Sequence, residues 1–107
     1  MTIFEDLLEY KMLTITSKMP KWFKDEDCEI ITSEHEFFER NYVVLFTETR
    51  KSRFVSSYVK AIRRKFKCEW FLTIQREDKD LPPLLVGKLP WKHYVLFAPI
   101  KLKEDEE

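Results

Sequence analysis

Residues 42–76 read YVVLFTETRKSRFVSSYVKAIRRKFKCEWFLTIQR, and this stretch decides the fold. It opens on residues 42–47, which are apolar at successive positions and predict a central strand covered on both faces. Residues 52–66 place large apolar side chains on one arc of a helix, and residues 68–76 alternate as a strand. The stretch therefore predicts a strand, a helix and a second strand in succession.

The sequence before this stretch predicts short elements. Residues 2–5 have capping-box form and begin an amphipathic helix over residues 3–11. Residues 12–16 are either a short strand or the tail of that helix, and residues 28–32 read as a short strand.

A second capping box, at residues 33–36, predicts a brief helix ahead of the central strand. We expect this helix to turn Phe37 and Phe38 inward and to end near Asn41.

The sequence after residue 76 combines a long apolar loop with one more strand. Residues 77–91 predict a loop that either packs across the sheet or is exposed as an apolar arm for a partner. Residues 93–102 predict a strongly apolar strand, with Pro99 near a sheet edge.

Together these elements predict an α+β protein with a largely antiparallel sheet and helices packed on one face. Residues 42–102 would form a strand–helix–strand–strand unit of the ferredoxin or RRM kind. A right-handed crossover would set the strands at 42–47 and 68–76 parallel, with the last strand antiparallel and, in one arrangement, between them. We expect one domain over residues 1–107, in which residues 103–107 are a frayed acidic tail.

Composition excludes several classes of protein. Hydrophobic residues make up 44% of the 107 residues and aromatic ones 15%, too much for a disordered chain. No apolar run is long enough to span a membrane and the N-terminus is acidic, so we expect a soluble, cytoplasmic protein. Cys28 and Cys68 are expected to be reduced, strand-borne, buried thiols. No metal-ligand spacing, catalytic motif or cofactor motif occurs, so we expect no metal, no cofactor and no enzyme.

A formal net charge of zero conceals a strong segregation of charge. Residues 50–67 hold 8 bases and no acid, whereas residues 1–48 hold 11 acids and 5 bases. The predicted helix would carry a basic stripe for about 21 Å along one flank, a length that suits several phosphates or carboxylates. The stripe consists of Arg53, Lys60, Arg63, Arg64 and Lys67.

Two interpretations of this stripe remain open. It can face an external acidic partner, or it can be a solvated or internally neutralised helix face. Residues 25–39 contain seven acids and only one base-like side chain, His35, so they could cover the stripe in cis or across a homodimer. In the predicted loop, Leu84, Leu85 and Trp91 are candidate apolar anchors for the same partner.

Residues 42–102 faintly resemble the rolling-circle replication initiators. The first strand of that family is similar to residues 42–47, and a later strand carries a His-hydrophobic-His motif, which here would begin at His93. Val95 stands where the second metal-binding histidine would be, and no tyrosine follows Tyr94 as a nucleophile. The resemblance therefore implies the fold without its nicking activity.

The overall character also resembles accessory proteins of rod-shaped and filamentous viruses of hot-spring archaea. The chain is small and rich in lysine and glutamate, and it has one Asn and one Gln, a composition favoured at high temperature. Several such families bind host machinery, including anti-CRISPR inhibitors of ribonucleoproteins. The leading hypothesis is a non-enzymatic viral protein that docks its basic helix on a host nucleoprotein or acidic protein, without a membrane. The alternative is sequence-independent binding of nucleic acid.

Overall fold

The structure is a computed structural model that describes Glu5 and residues 12–21, 23–75 and 81–100. Trp22, the acidic tail and all but Glu5 of the predicted first helix lie outside the described residues. Within them the chain forms eight strands and one α-helix. These elements are β1 (Leu13–Thr16), β2 (Cys28–Ile31), β3 (Glu36–Glu39), β4 (Tyr42–Phe46), β5 (Lys51–Val55), α1 (Ser56–Lys65), β6 (Glu69–Thr73), β7 (Leu84–Leu89) and β8 (His93–Phe97).

The described strands form two antiparallel sheets. One sheet has the order β1-β8-β7-β6-β2 and the other the order β3-β4-β5. The helix α1 packs against β4 and β5. This arrangement confirms the predicted α+β class with antiparallel sheets, and it confirms that residues 42–46 are a central strand.

The hydrophobic core lies between the inner faces of the two sheets and one side of α1. The ring of Phe54 in β5 stacks on the ring of Phe97 in β8, with centroids 5.7 Å apart. The helix contributes Val59 and Ile62, which are 2% and 0% exposed. Because all four side chains belong to one buried cluster, the two sheets share a single core.

The outer face of the five-stranded sheet is covered as well. Val86 and Thr73 lie on the face opposite the core and are both 0% exposed. The chain between β1 and β2 crosses this face, where Phe23 lies 5.5 Å from the ring of Tyr94. The central strands of this sheet are therefore buried on both faces.

The predicted crossover between parallel strands is wrong. Residues 42–46 and 69–73 belong to different sheets, and β8 does not lie between them. The helix α1 connects the two sheets, since it follows β5 of one and precedes β6 of the other.

The predicted helix at residues 33–41 is also replaced. Its capping signal is real but belongs to Thr32, whose hydroxyl accepts from the backbone of Glu34 at 3.3 Å. One turn of 3-10 helix, Ser33–His35, is followed at once by β3. Pairing with β4 places Phe37 and Phe38 on opposite faces of the sheet, and both are 50% exposed because β3 lies at the sheet edge.

The single glycine of the chain supports the packing of β7 on β6. Gly87 lies opposite Trp70, and a Cβ atom at Gly87 would stand 2.6 Å from Cζ3 of the indole and 3.0 Å from Sγ of Cys68. The absence of a side chain is what lets the Trp70 ring pack this closely against the strand.

Candidate functional site

The predicted basic stripe does not lie on one helix, because its first and last members, Arg53 and Lys67, fall outside α1. Arg53 belongs to β5, because α1 begins only at Ser56. Residues 51–55 alternate, with Ser52 and Phe54 buried, so this segment is a strand although Phe54 also fits a helical arc. The continuous basic flank expected over residues 53–67 therefore does not form.

Two of the five cations are neutralised by acids of β3. The guanidinium of Arg63 forms an ion pair with Glu36, and both side chains are mostly buried. Arg53 Nε lies 3.2 Å from Oε2 of Glu39. The acidic segment thus covers part of the basic stripe in cis, and these two arginines tie α1 and β5 to the edge of the small sheet.

The remaining basic side chains of the stripe are exposed. We call Lys60, Arg64 and Lys67 the α1 flank. Nζ of Lys60 lies 5.0 Å from the centroid of the Phe38 ring, a cation–π contact. Within the described part of the chain, Arg64 and Lys67 make no ion pair. Lys60 and Arg64 lie about 6 Å apart along α1, and Lys67 lies two residues beyond the end of the helix, so the helical part of the flank is much shorter than the sequence predicts.

Leu84 and Leu85 are not available as surface anchors. They begin β7, pair with β6 and β8, and are 8% and 0% exposed. The prediction of a loop over residues 77–91 is therefore wrong for residues 84–89. Prolines at 82 and 83 suggest a loop, and a strand covered on both faces shows no alternation of polar and apolar residues.

Trp91 is by contrast the most exposed large hydrophobic residue described, at 90%. We call Pro90–Lys92 the hairpin tip, since this segment joins β7 to β8. Trp91 and Lys92 have φ of 64° and 58°, a left-handed conformation that costs about 1–3 kcal/mol for a residue other than glycine. Nδ1–H of His93 donates to the carbonyl oxygen of Trp91 at 3.0 Å and helps to hold the turn.

Strand register brings the hairpin tip and the end of α1 to one end of the five-stranded sheet. Glu69 starts β6 opposite Lys88, one residue before the last residue of β7. Lys67 precedes β6 by two residues, and the hairpin tip follows β7 directly. An indole and several ammonium or guanidinium groups are therefore displayed at the same end of the molecule.

A polar network that the sequence analysis missed joins the two sheets at the opposite end. Oε1 of Glu29 in β2 accepts from the hydroxyls of Thr47 and Thr49, each at 2.8 Å. Nε of Arg50 lies 3.0 Å from the same oxygen, and its Nη1 donates to the carbonyl of Leu72 at 2.8 Å. The hydroxyl hydrogen bonds, with the Arg50 charge, lower the pKa of Glu29. A Glu and an Arg separated by twenty residues in sequence gave no signal that could have revealed this network.

Two open grooves flank the turn between β4 and β5. One, of about 460 Å³, is lined by Phe37, Phe46 and Lys51, and the other, of about 570 Å³, by Ile74 and Gln75. The guanidinium of Arg50, which lines both grooves, is already paired with Glu29. We therefore assign no chemistry to either groove.

The cysteines and histidines do not form a site. Cys28 and Cys68 are free thiols, and burial raises the pKa of each. Nδ1 of His35 accepts from the backbone of Thr32 at 3.0 Å, a capping role. Within the described ranges, no three His, Cys, Asp or Glu residues are grouped to hold a metal ion. The same part of the chain contains no helix with the length and apolar character needed to cross a membrane.

Comparison with known proteins adds no relative. The chain matches no protein-family model, no curated protein and no solved structure.

Proposed function

We propose that the protein is a non-catalytic binding module that docks on an acidic protein or nucleoprotein surface through the α1 flank and the hairpin tip. The observation that carries the proposal is Trp91, held 90% exposed in a left-handed turn at the end of the sheet where α1 also ends. A strained, solvated indole is costly for the isolated protein, and aromatic anchors of this kind dominate binding energy at interfaces.

The charges around the indole suit an anionic surface. Arg64 can make bidentate contacts to carboxylate or phosphate, and Lys67 and Lys92 supply point charges. None of these three makes an ion pair with another described residue. Arg53 and Arg63 hold the fold together in this proposal and leave the contact to the exposed cations.

The biological setting of the proposal follows the resemblance to archaeal viral accessory proteins. In that setting the partner is a host protein or ribonucleoprotein of the cytoplasm, and docking interferes with its action. The support is the composition and small size of the chain together with the exposed cations and indole.

Titration of the intact chain with an acidic polypeptide tests the proposal. With poly-glutamate as the probe, indole fluorescence should change on binding, and Arg64→Glu with Lys67→Glu should abolish that change. Trp91→Ala should weaken binding about tenfold or more, as expected for an aromatic anchor, and because this variant lacks the reporting indole its affinity is measured by titration calorimetry.

Lys51→Glu, on an exposed lysine at the opposite end of the sheets, is the charge reversal matched to Arg64→Glu alone. It should leave binding unchanged. If Lys51→Glu and the flank variants lost equal affinity for poly-glutamate, binding would depend only on net charge, which would contradict the proposal.

Sequence-independent binding of nucleic acid is the second candidate, favoured by the exposed indole next to Lys92, since aromatic side chains stack on bases. Titration with duplex DNA and single-stranded RNA should then show affinity that falls steeply with salt, with a log–log slope of about −0.9 per duplex phosphate contacted. Binding to nucleic acid without binding to poly-glutamate would favour this candidate. No binding to either nucleic acid at low salt would eliminate it.

A further inference from the structure

The strand β3 forms an exposed edge of the small sheet. Among the described residues it pairs with β4 alone, so its other side carries no strand. Phe37 and Phe38 are each 50% exposed and follow one another at its centre. An edge strand with unpaired backbone groups and exposed apolar side chains is a template for pairing with another chain.

Charges on an edge strand usually oppose such pairing, but here they are cancelled within the chain. Glu36 is paired with Arg63, and Glu39 with Arg53 at 3.2 Å. The carboxylates therefore do not present a net negative edge. Beyond them, the exposed Arg40 makes no ion pair with the described residues.

The hairpin geometry determines which backbone groups face outward. Arg40 and Asn41 form a two-residue turn between Glu39 and Tyr42, so those two strand residues exchange hydrogen bonds directly. Hydrogen-bonded and non-hydrogen-bonded pairs alternate along an antiparallel ladder. Glu36 and Phe38 therefore direct their N–H and C=O groups away from β4, toward the free edge.

We propose that β3 pairs in antiparallel fashion with β3 of a second copy of this chain, across a two-fold axis at Phe38. In this register Phe38 lies opposite its own counterpart and exchanges both backbone hydrogen bonds with it. Arg40 of the second copy lies opposite Glu36, whose carboxylate already contacts Arg63 and would then accept from a second guanidinium, twice by symmetry. The two small sheets become one sheet of order β5-β4-β3-β3-β4-β5.

The two-fold axis is perpendicular to the joined sheet. Side chains that lie on one face of the small sheet in each copy therefore lie on the same face of the joined sheet. Both copies of α1 then lie on the same side of the joined sheet, and their Lys60 side chains approach the axis. The dimer can form without any acidic partner, because it uses the backbone of β3, and of the proposed binding surface it involves only Lys60.

Sedimentation velocity over a wide range of concentration tests the dimer. The chain should pass from monomer to dimer, and Arg40→Glu should weaken the association about tenfold, because it places a second carboxylate beside each Glu36–Arg63 pair at the two symmetric positions. Lys21→Glu makes the same charge change on an exposed lysine outside β3 and should have no effect. A monomer at every concentration, or a dimer that tolerates Arg40→Glu as well as Lys21→Glu, would overturn the proposal.

Disulfide trapping tests the register. A hydrogen-bonded antiparallel pair has a Cα separation of about 5.5 Å, within the range of a disulfide. Phe38→Cys should therefore form a covalent dimer on mild oxidation, while Phe37→Cys and the parent chain, with its native Cys28 and Cys68, should not. Equally rapid trapping through Phe37→Cys would show that the axis does not lie at Phe38. Both phenylalanines are half-exposed, so neither substitution removes a core side chain.

Discussion

The two sheets are rich in the same aromatic and branched residues but are covered differently. In the five-stranded sheet, Val86 and Leu85 point to opposite faces and both are 0% exposed. In the three-stranded sheet, Phe37 and Phe38 also point to opposite faces and both are 50% exposed. The large sheet therefore buries these apolar side chains within the chain, whereas the small sheet leaves them exposed at its edge.

This difference separates residues that stabilise the fold from residues available for binding. The same contrast holds between β7, which is buried, and the hairpin tip that follows it, where Trp91 is 90% exposed. A large apolar side chain that folding leaves in water contributes little to stability, so its removal distinguishes the two classes.

The largest expected effect compares two phenylalanines. Phe97→Ala removes a ring that is 1% exposed and stacks on Phe54, and it should lower the free energy of unfolding by about 3–5 kcal/mol. Phe37→Ala should change it by at most about 0.5 kcal/mol. Urea denaturation at a concentration where the protein is monomeric measures both. If the two variants lost similar amounts of free energy of unfolding, the exposed edge residue Phe37 would stabilise the fold as much as the core residue Phe97, which would contradict this comparison.

A smaller effect is expected at Gly87. Gly87→Ala places a methyl group 2.6 Å from the Trp70 ring and should cost about 1–3 kcal/mol through overpacking. In a Trp70→Leu background, which lacks the clashing ring atoms, the same substitution should cost little. A double-mutant cycle measures the coupling between the two positions. Equal costs of Gly87→Ala in both backgrounds would show that the indole is not the obstacle.

The sequence predicts the interior of the sheets better than their edges. Strand β4 is predicted within one residue of its observed bounds, because continuous burial leaves a run of apolar residues. Strand β8 begins at His93 as predicted but ends at Phe97, well before the predicted end at residue 102. The small-sheet edge is mistaken for a helix, because Thr32 and the following residues carry a capping signal that operates for only one turn.

The candidate site is predicted in part, for related reasons. Lys60 and Arg64 are exposed as a basic helix flank requires, but Lys67 lies beyond the end of α1, and Arg53 and Arg63 are paired with acids of β3. Those ion pairs require β3 to be a strand, and the local sequence pattern of residues 33–41 predicts a helix instead. The exposure of Trp91 likewise depends on β7, because the hairpin tip exists only if β7 is a strand. The sequence of β7 does not alternate and follows Pro82 and Pro83, so it suggests a loop.

The smallest effect is expected where the two sheets are tied together by Glu29. Its folded pKa is lowered, first by the hydroxyls of Thr47 and Thr49 and then by Arg50, so its stabilisation is present above the unfolded value of 4.5. That stabilisation is lost as the pH falls through the lower, folded pKa. Glu29→Gln cannot titrate and keeps only neutral hydrogen bonds, so it should cost about 1 kcal/mol near neutral pH, a modest value because the side chain is 35% exposed. The difference in free energy of unfolding between the parent and Glu29→Gln should shrink toward zero as the pH falls below 4.5. A difference that stays constant over that range would mean that Glu29 contributes through shape alone and that its charge does not hold the small sheet to the large one.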